Sequence, residues 1–164
     1  MRPNVPLAVE SHQAFPLPGP VVPMGPSGGL RLGRVYWEEV ERTTRRLVSS
    51  RATDGGVELR LLRNGPVLLA FGPPELEMRP ASVSCSYPIL GGLLARGEAG
   101  MLVLAQERAD SWRLRTTVRG FLPRLDARPG RPRWTGFLYA QVQARVHRAV
   151  GRRYVARLLR EARR

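Results

Sequence analysis

The side chains that could support acid–base or nucleophilic chemistry are few in this 164-residue sequence. The two histidines, His12 and His147, occur near opposite ends of the chain, and the single cysteine, Cys85, alternates with Ser84 and Ser86. A nucleophilic cysteine needs a neighbouring base or a helix N-terminus to lower its thiol pKa, and the sequence places neither beside Cys85. We therefore expect Cys85 to be a small buried hydrophobic residue, and we assign no catalytic residue.

Signatures of metal binding and of hydrolysis are also missing from the sequence. No pair of histidines or cysteines has the spacing of a zinc site, and no serine lies in the Gly-x-Ser-x-Gly turn of the hydrolases. The glycine pair at 28–29 lacks the Gly-Lys-Ser/Thr ending of a phosphate-binding loop. The sequence thus predicts no metal and no cofactor, and it favours a protein that is not an enzyme.

The net charge of +14 rests on 27 basic residues, all of them arginine. The absence of lysine is typical of a GC-rich genome and needs no binding function. The excess of arginine over acidic residues is concentrated in residues 127–164, however, which favours either a solvated basic helix or a surface for nucleic acid or an acidic partner. For the second interpretation, the candidate anion-binding residues are Arg152, Arg153, Arg157 and Arg160.

Proline, glycine and charge patterns divide the chain. Residues 1–30 are rich in proline, which predicts an extended segment with at most one edge strand at 7–15. The remainder, 31–164, is expected to form one domain. Three-to-four spacing of apolar residues, with glutamates first and arginines last, predicts a helix over 34–50.

From 57 to 121 the apolar residues alternate with polar ones, which is typical of half-buried strands. We count about six short strands in that stretch, with Asn64-Gly65 marking one hairpin. Residues 122–136 carry the composition of a linker. A long terminal helix is predicted over 137–163, which contains no proline.

These elements predict an α+β fold. An antiparallel meander of six to seven strands needs a cover for its apolar face, and the terminal helix is the longest amphipathic element available. A cavity between the sheet and this helix is the expected site for a ligand. The candidate lining residues are Cys85, Tyr87, Trp112, Leu114, Tyr139, His147 and Tyr154.

The order of elements resembles the helix-grip fold of the START-like and polyketide cyclase superfamily (SRPBCC). The segments that carry this resemblance are Tyr87-Pro-Ile-Leu-Gly-Gly-Leu-Leu-Ala-Arg-Gly and Val118-Arg-Gly-Phe-Leu-Pro-Arg-Leu, which look like passages between elements in uncharacterised members. The first strand is weak in this sequence, and one helix rather than two precedes the meander. A cystatin-like arrangement of helix and sheet is the alternative fold.

The resemblance implies a cavity that holds an apolar or amphipathic small molecule. We therefore expect a small-molecule-binding protein without strong catalysis, with two alternatives. One is an interaction module that uses the basic terminal helix, and the other is an enzyme of the polyketide cyclase type. No apolar run approaches the ~18–20 residues of a membrane span, and a cytoplasmic location is expected. The sequence leaves the ligand and the oligomeric state open.

Overall fold

The computed structural model describes residues 9–95, 97–121 and 133–164, and of Val9 and residues 133–142 it describes the backbone only. These ranges contain eight strands and two helices. In chain order they are β1 (Val9–Leu17), α1 (Pro26–Thr43), β2 (Val48–Thr53), β3 (Gly56–Leu61), β4 (Val67–Phe71), β5 (Glu75–Arg79), β6 (Ser82–Gly91), β7 (Met101–Arg108), β8 (Trp112–Phe121) and α2 (Arg133–Ala162).

The strands form one antiparallel sheet in the order β1-β8-β7-β6-β4-β3-β2, and β5 pairs with β6 beside that path. Across its centre, Cys85 of β6 lies opposite Leu104 of β7, which lies opposite Thr116 of β8. All three side chains are buried. The predicted α+β architecture, an antiparallel sheet with a long C-terminal helix, is confirmed. The sheet has eight strands because β2 is present where the sequence predicted the end of a helix.

The first helix begins and ends earlier than the sequence predicts. The predicted helix covers 34–50, whereas α1 covers Pro26–Thr43. Proline fits the first turn of a helix because its φ is already helical and its missing N–H needs no partner there. The segment that proline was expected to keep extended therefore supplies the first turns of α1, and the expected boundary after residue 30 falls inside this helix.

Two glycines on one face of α1 allow the helix to lie close to the sheet. A Cβ atom at Gly33 would overlap the hydroxyl group of Tyr87, and one at Gly29 would lie 2.9 Å from Cδ2 of Leu76. Their spacing of four residues puts both on the same side of the helix. The amino-terminal half of α1 thus packs directly on β5 and β6, with no room for a side chain at either glycine.

The terminal helix α2 begins at Arg133, earlier than the predicted start at 137. Of the linker predicted at 122–136, residues 122–132 lie outside the described residues and the last four are helical. Within the described ranges, the backbone of α2 comes closest to α1 and β1. Gly151 lies at the contact with β1, where a Cβ atom would overlap the side chain of Gln13. The side chains of Tyr154 and Leu158 enter the core.

A partly buried ion-pair network fixes α2 on α1. Arg157 of α2 pairs with Glu38 and Glu39 of α1 and with Glu161 one turn further along α2. Arg31 of α1 pairs with the same Glu161 at 2.8 Å. Glu39 is only 4% exposed, and a carboxylate this deeply buried needs a matched charge. The network therefore sets how the two helices lie against each other.

Candidate ligand site between the sheet and the helices

A cavity of about 120 Å³ lies where both helices meet the sheet. Helix α1 contributes Tyr36, Trp37 and Val40 to its walls, and α2 contributes Gln143 and His147. The sheet contributes Leu59, Leu69, Phe71, Ile89, Leu102, Val118 and Phe121. Apart from the two residues of α2, the hydroxyl group of Tyr36 and the indole N–H of Trp37, which is buried without a hydrogen-bond partner among the described residues, these walls are apolar.

The cavity exists because the face of α1 changes along the helix. Gly29 and Gly33 allow the amino-terminal half to touch the sheet, whereas Tyr36, Trp37 and Val40 follow with large side chains on the same face. Large side chains hold a helix further from a sheet than glycine does, and protein interiors leave unfilled space only where packed surfaces diverge. The cavity lies at this divergence.

Aromatic contacts make the α1 side of the cavity rigid. The ring of Trp37 lies 4.9 Å from that of Phe71, 5.1 Å from that of Tyr87 and 5.3 Å from that of Tyr36, measured between centroids. The ring of Tyr36 in turn contacts Tyr154 edge-on at 5.5 Å. Pairs of this kind favour fixed mutual angles. The shape of the cavity on this side is therefore set in advance of any ligand.

His147 brings an unpaired ring nitrogen to the site. Its Nε2 atom is buried, and among the described residues it has no hydrogen-bond partner. Burial lowers the pKa of this imidazole, because desolvation disfavours its charged form. Gln143 lies one helical turn before it and also borders the cavity. The site thus offers an apolar space with a neutral, unpaired ring nitrogen at one side.

His147 is the predicted lining residue that borders this cavity. Cys85, Tyr87, Leu114 and Tyr154 are buried in the closed part of the core. Burial raises the pKa of the Cys85 thiol, so this thiol is not activated as a nucleophile. The buried surroundings agree with the expectation of a small hydrophobic residue at this position.

Tyr154 and Trp112 do not border this cavity, and the side chain of Tyr139 lies outside the described residues. The Tyr154 hydroxyl donates a hydrogen bond of 3.1 Å to the carbonyl oxygen of Leu32, so this polar group is already satisfied. Trp112 lies at the start of β8, where the guanidinium of Arg108 lies 5.9 Å from its ring centroid.

Sequence analysis missed the walls that α1 and the β3–β4 hairpin provide. In the structure Leu59 pairs with Leu69, and Val57 pairs with Phe71. The alternation in 57–61 pointed to an inward apolar face there, and 67–71, apolar throughout, was predicted as the returning strand. The sequence therefore indicated that these strands face the core, but only the position of α1 shows which of their residues border the cavity.

The remaining histidine, cysteine and acidic side chains form no metal centre in the part of the chain that is described. No group of three or more histidine, cysteine or acidic side chains there could hold a metal ion. His12 lies on the other face of the sheet, with Nδ1 3.1 Å from Oγ1 of Thr117. Neither helix, over its described residues, is long and apolar enough to cross a membrane.

The predicted anion-binding arginines differ from one another in their surroundings. Arg152, Arg153 and Arg160 are exposed on α2, whereas Arg157 is held by the carboxylates of Glu38, Glu39 and Glu161. At 100° per residue the exposed arginines of this helix fall on one arc without an acidic residue. They are Arg145, Arg148, Arg152, Arg153 and Arg160, and the exposed Arg163 and Arg164 follow the end of the helix at Ala162.

Comparisons with known proteins assign this chain to no family. No protein-family model matches the chain, and a search of curated proteins found no match. Among solved structures, the chain is similar to the crystal structure of Ara h 8.0201, with 14% sequence identity and a TM-score of 0.43. That similarity covers 91% of this chain and 99% of the other. A TM-score this low leaves the sheet, the helices and the cavity themselves as the evidence.

Proposed function

We propose that this protein binds a small, uncharged ring compound that carries one hydrogen-bonding group. The observation behind the proposal is the unpaired Nε2 of His147 at the side of an apolar, aromatic-walled cavity. A buried polar atom without a partner costs about 1–3 kcal/mol. A ligand that supplies the missing hydrogen bond recovers part of that free energy.

The volume of the cavity sets the size of the ligand. Its volume of about 120 Å³ is slightly below the ~150 Å³ of an engineered apolar cavity that binds benzene, and well below the ~300–1,000 Å³ of sites for drug-sized molecules. A single six-membered ring is therefore the proposed scale. This narrows the expectation from the sequence, which was any apolar or amphipathic small molecule.

The walls of the cavity determine the polarity of the ligand. Neutral imidazole can donate from one ring nitrogen and accept at the other, so a hydroxyl group suits His147 in either tautomer. A charged ligand would lose its hydration without finding an opposite charge in this cavity, which is costly. Phenol is thus a better probe than benzoate, and benzene shows what the apolar walls contribute alone.

The test is a titration of the full chain with phenol, benzene and benzoate, followed by thermal shift and NMR. We expect phenol to bind about tenfold more tightly than benzene, which corresponds to one hydrogen bond of about 1.4 kcal/mol, and we expect no binding of benzoate. His147→Leu should remove the preference for phenol and keep benzene binding. His12→Leu is the matched control, since His12 lies on the other face of the sheet.

A second pair of variants tests the volume. Leu69→Phe narrows the cavity and should weaken both phenol and benzene, whereas Leu90→Phe adds the same group at a side chain that is 41% exposed and should weaken neither. A wild-type protein that binds neither phenol nor benzene would overturn the proposal. So would a preference for phenol that persists in His147→Leu.

The exposed arginine arc of α2 supports a second candidate function, binding of duplex nucleic acid. Arginine suits phosphate oxygens because its planar group donates two parallel hydrogen bonds. From Arg145 to Ala162 the helix extends about 25 Å, enough for several phosphates. Binding to a short DNA duplex should fall steeply between 50 and 200 mM salt and weaken in the double variant Arg152→Gln/Arg160→Gln. Binding that is absent at 50 mM salt excludes this candidate.

A further inference from the structure

A second and larger cleft lies where α1 ends beside the β2–β3 hairpin. Its volume is about 590 Å³, and its lining is polar. Helix α1 and the turn after it contribute Glu41 and Arg46, and β2 contributes Ser50 and Arg51. The connection between β3 and β4 contributes Arg63 and Asn64. Three separate segments of the chain therefore place an arginine at one opening.

The charges in the cleft are unbalanced. Oε1 of Glu41, the one acidic residue of the lining, accepts hydrogen bonds from the backbone N–H of Ser50 at 2.6 Å and from its hydroxyl group at 2.8 Å. Within the described ranges, Arg46, Arg51 and Arg63 form no ion pair with a carboxylate. These three guanidinium groups are exposed and available to an anion.

Glu58 could have neutralised one of these arginines but does not. It lies directly opposite Arg51 in the pairing of β2 with β3, where opposite charges attract across strands. Its carboxylate instead contacts Arg60 at 2.8 Å. The guanidinium group of Arg51 therefore faces the cleft without a carboxylate partner among the described residues.

The backbone beside the cleft adopts conformations that favour glycine. Arg45 and Arg46 have φ values of 52° and 63°, and Leu62, which precedes Arg63, has a φ of 57°. A helix commonly ends with glycine in this left-handed region, because other residues are strained there. Here the N–H of Arg45 donates to the carbonyl of Arg42 at 3.2 Å and that of Arg46 to the carbonyl of Glu41 at 2.7 Å. In this pattern glycine usually holds the position of Arg45, and Arg46 follows it in the same left-handed region.

Composition does not explain this choice of residue. Glycine codons are as GC-rich as arginine codons, so the bias that replaces lysine by arginine gives no reason to replace glycine by arginine. Non-glycine residues held at positive φ tend to occur at ligand-binding sites, where the side chain compensates for the strain. Among the described residues, strain and a charge without an ion pair coincide at both Arg45 and Arg46, and of these two residues Arg46 lines the cleft.

We infer that the arginines of this cleft, Arg46, Arg51 and Arg63, bind a ligand that carries two neighbouring phosphate groups. Guanidinium groups pair bidentately with phosphate oxygens, and three of them exceed what a single phosphate needs. The volume lies in the ~300–1,000 Å³ range of small-ligand sites and fits a molecule of about nucleotide size. This inference is independent of the apolar cavity, which α1 reaches through different residues.

The experiment compares two glycine substitutions at adjacent residues of the full chain. Arg45→Gly and Arg46→Gly each relieve a positive φ, and each should raise Tm by about 2–4 °C. Only Arg46 lines the cleft. In 50 mM salt, pyrophosphate measured by isothermal titration calorimetry should bind at least tenfold more weakly to Arg46→Gly and to Arg63→Ala. Arg45→Gly should retain wild-type affinity within about threefold, a margin for one distant charge.

Two further arms separate the possible sources of the phosphate. Vesicles of phosphatidylglycerol in phosphatidylcholine present phosphates on a surface, whereas pyrophosphate presents them free in solution. Binding of either probe that depends on Arg46 and Arg63 supports the inference and identifies the source. Binding of neither probe overturns it, as does binding that survives in both Arg46→Gly and Arg63→Ala. Phenol binding serves as an independent readout of the apolar cavity and should be unchanged in all three variants.

Discussion

Helix α1 takes part in two sites of opposite character. Tyr36, Trp37 and Val40 close an apolar cavity of about 120 Å³, while Glu41 and Arg46 border a polar cleft of about 590 Å³ at the end of the same helix. Packing fixes the walls of the first site. In the polar cleft, the exposed side chains are positioned by the backbone of turns and strands.

The difference determines how each site would respond to change. Affinity in the cavity depends on excluded water and on one hydrogen bond, so it should depend little on salt and strongly on core packing. Affinity in the cleft depends on exposed charges, which salt screens with a Debye length of about 10 Å at 0.1 M. Mutations that loosen the core should therefore weaken ligand binding in the cavity and leave anion binding in the cleft unchanged.

The largest effect is expected for Gly33→Ala. The added methyl group would overlap the hydroxyl group of Tyr87, which is buried against Trp37 and cannot swing into solvent. Overpacking of this kind costs about 3 kcal/mol, a decrease in Tm on the order of 10 °C. Thermal unfolding measures the loss, and phenol affinity should fall with it while pyrophosphate affinity at 20 °C stays unchanged.

Gly19→Ala is the control for this substitution, since a Cβ atom there has no neighbour within 4 Å. It should change Tm by less than about 2 °C. Equal losses in the two variants would mean that the close approach of α1 to β6 does not stabilise the fold.

A smaller effect is expected from the protonation of His147. Burial lowers the pKa of this residue below its usual 6.5, so below pH 6.5 the unfolded chain binds a proton more readily than the folded one. Its contribution to stability is therefore complete above that pH and is lost as pH falls through the lowered folded-state pKa. Urea unfolding between pH 7 and 5 should show a shallower loss of stability in His147→Gln than in the wild type. Parallel pH profiles of the two proteins would contradict this assignment.

The sequence predicts the sheet better than the first helix, for a local reason. Val83, Cys85 and Tyr87 alternate with serines along β6, and these three side chains are buried as that pattern indicates. At the end of α1, by contrast, Arg45 and Arg46 adopt a left-handed conformation that sequence analysis assigns to glycine. With no glycine to mark the stop, the predicted helix extends to residue 50 and includes the first three of the six residues of β2.

The candidate site is predicted less completely because it depends on how far α1 lies from the sheet. Alternation places Cys85, Tyr87 and Leu114 on the inward face, and they are buried as expected. It cannot tell which inward residues border a cavity. At Gly33 the absence of a side chain lets α1 lie directly against Tyr87, so no cavity remains there. One helical turn later, the large side chain of Trp37 borders the cavity.

The smallest effect in this series is expected for Leu62→Gly. Leu62 has a φ of 57° and is 54% exposed, so glycine relieves strain at little cost in buried area. Its N–H donates to the carbonyl of Leu47 at 2.7 Å, and glycine keeps that bond. We expect a gain of about 1 kcal/mol in the free energy of unfolding by urea, with pyrophosphate affinity retained because Arg63 remains.

Leu61→Gly makes the comparison specific to the backbone. Leu61 is 43% exposed, similar to its neighbour, but it ends strand β3 without a positive φ, so glycine should destabilise there by about 0.5–1 kcal/mol. Opposite signs for two adjacent leucines would locate the strain in the turn beside the cleft. Losses of equal size would instead mean that the backbone at Leu62 is relaxed.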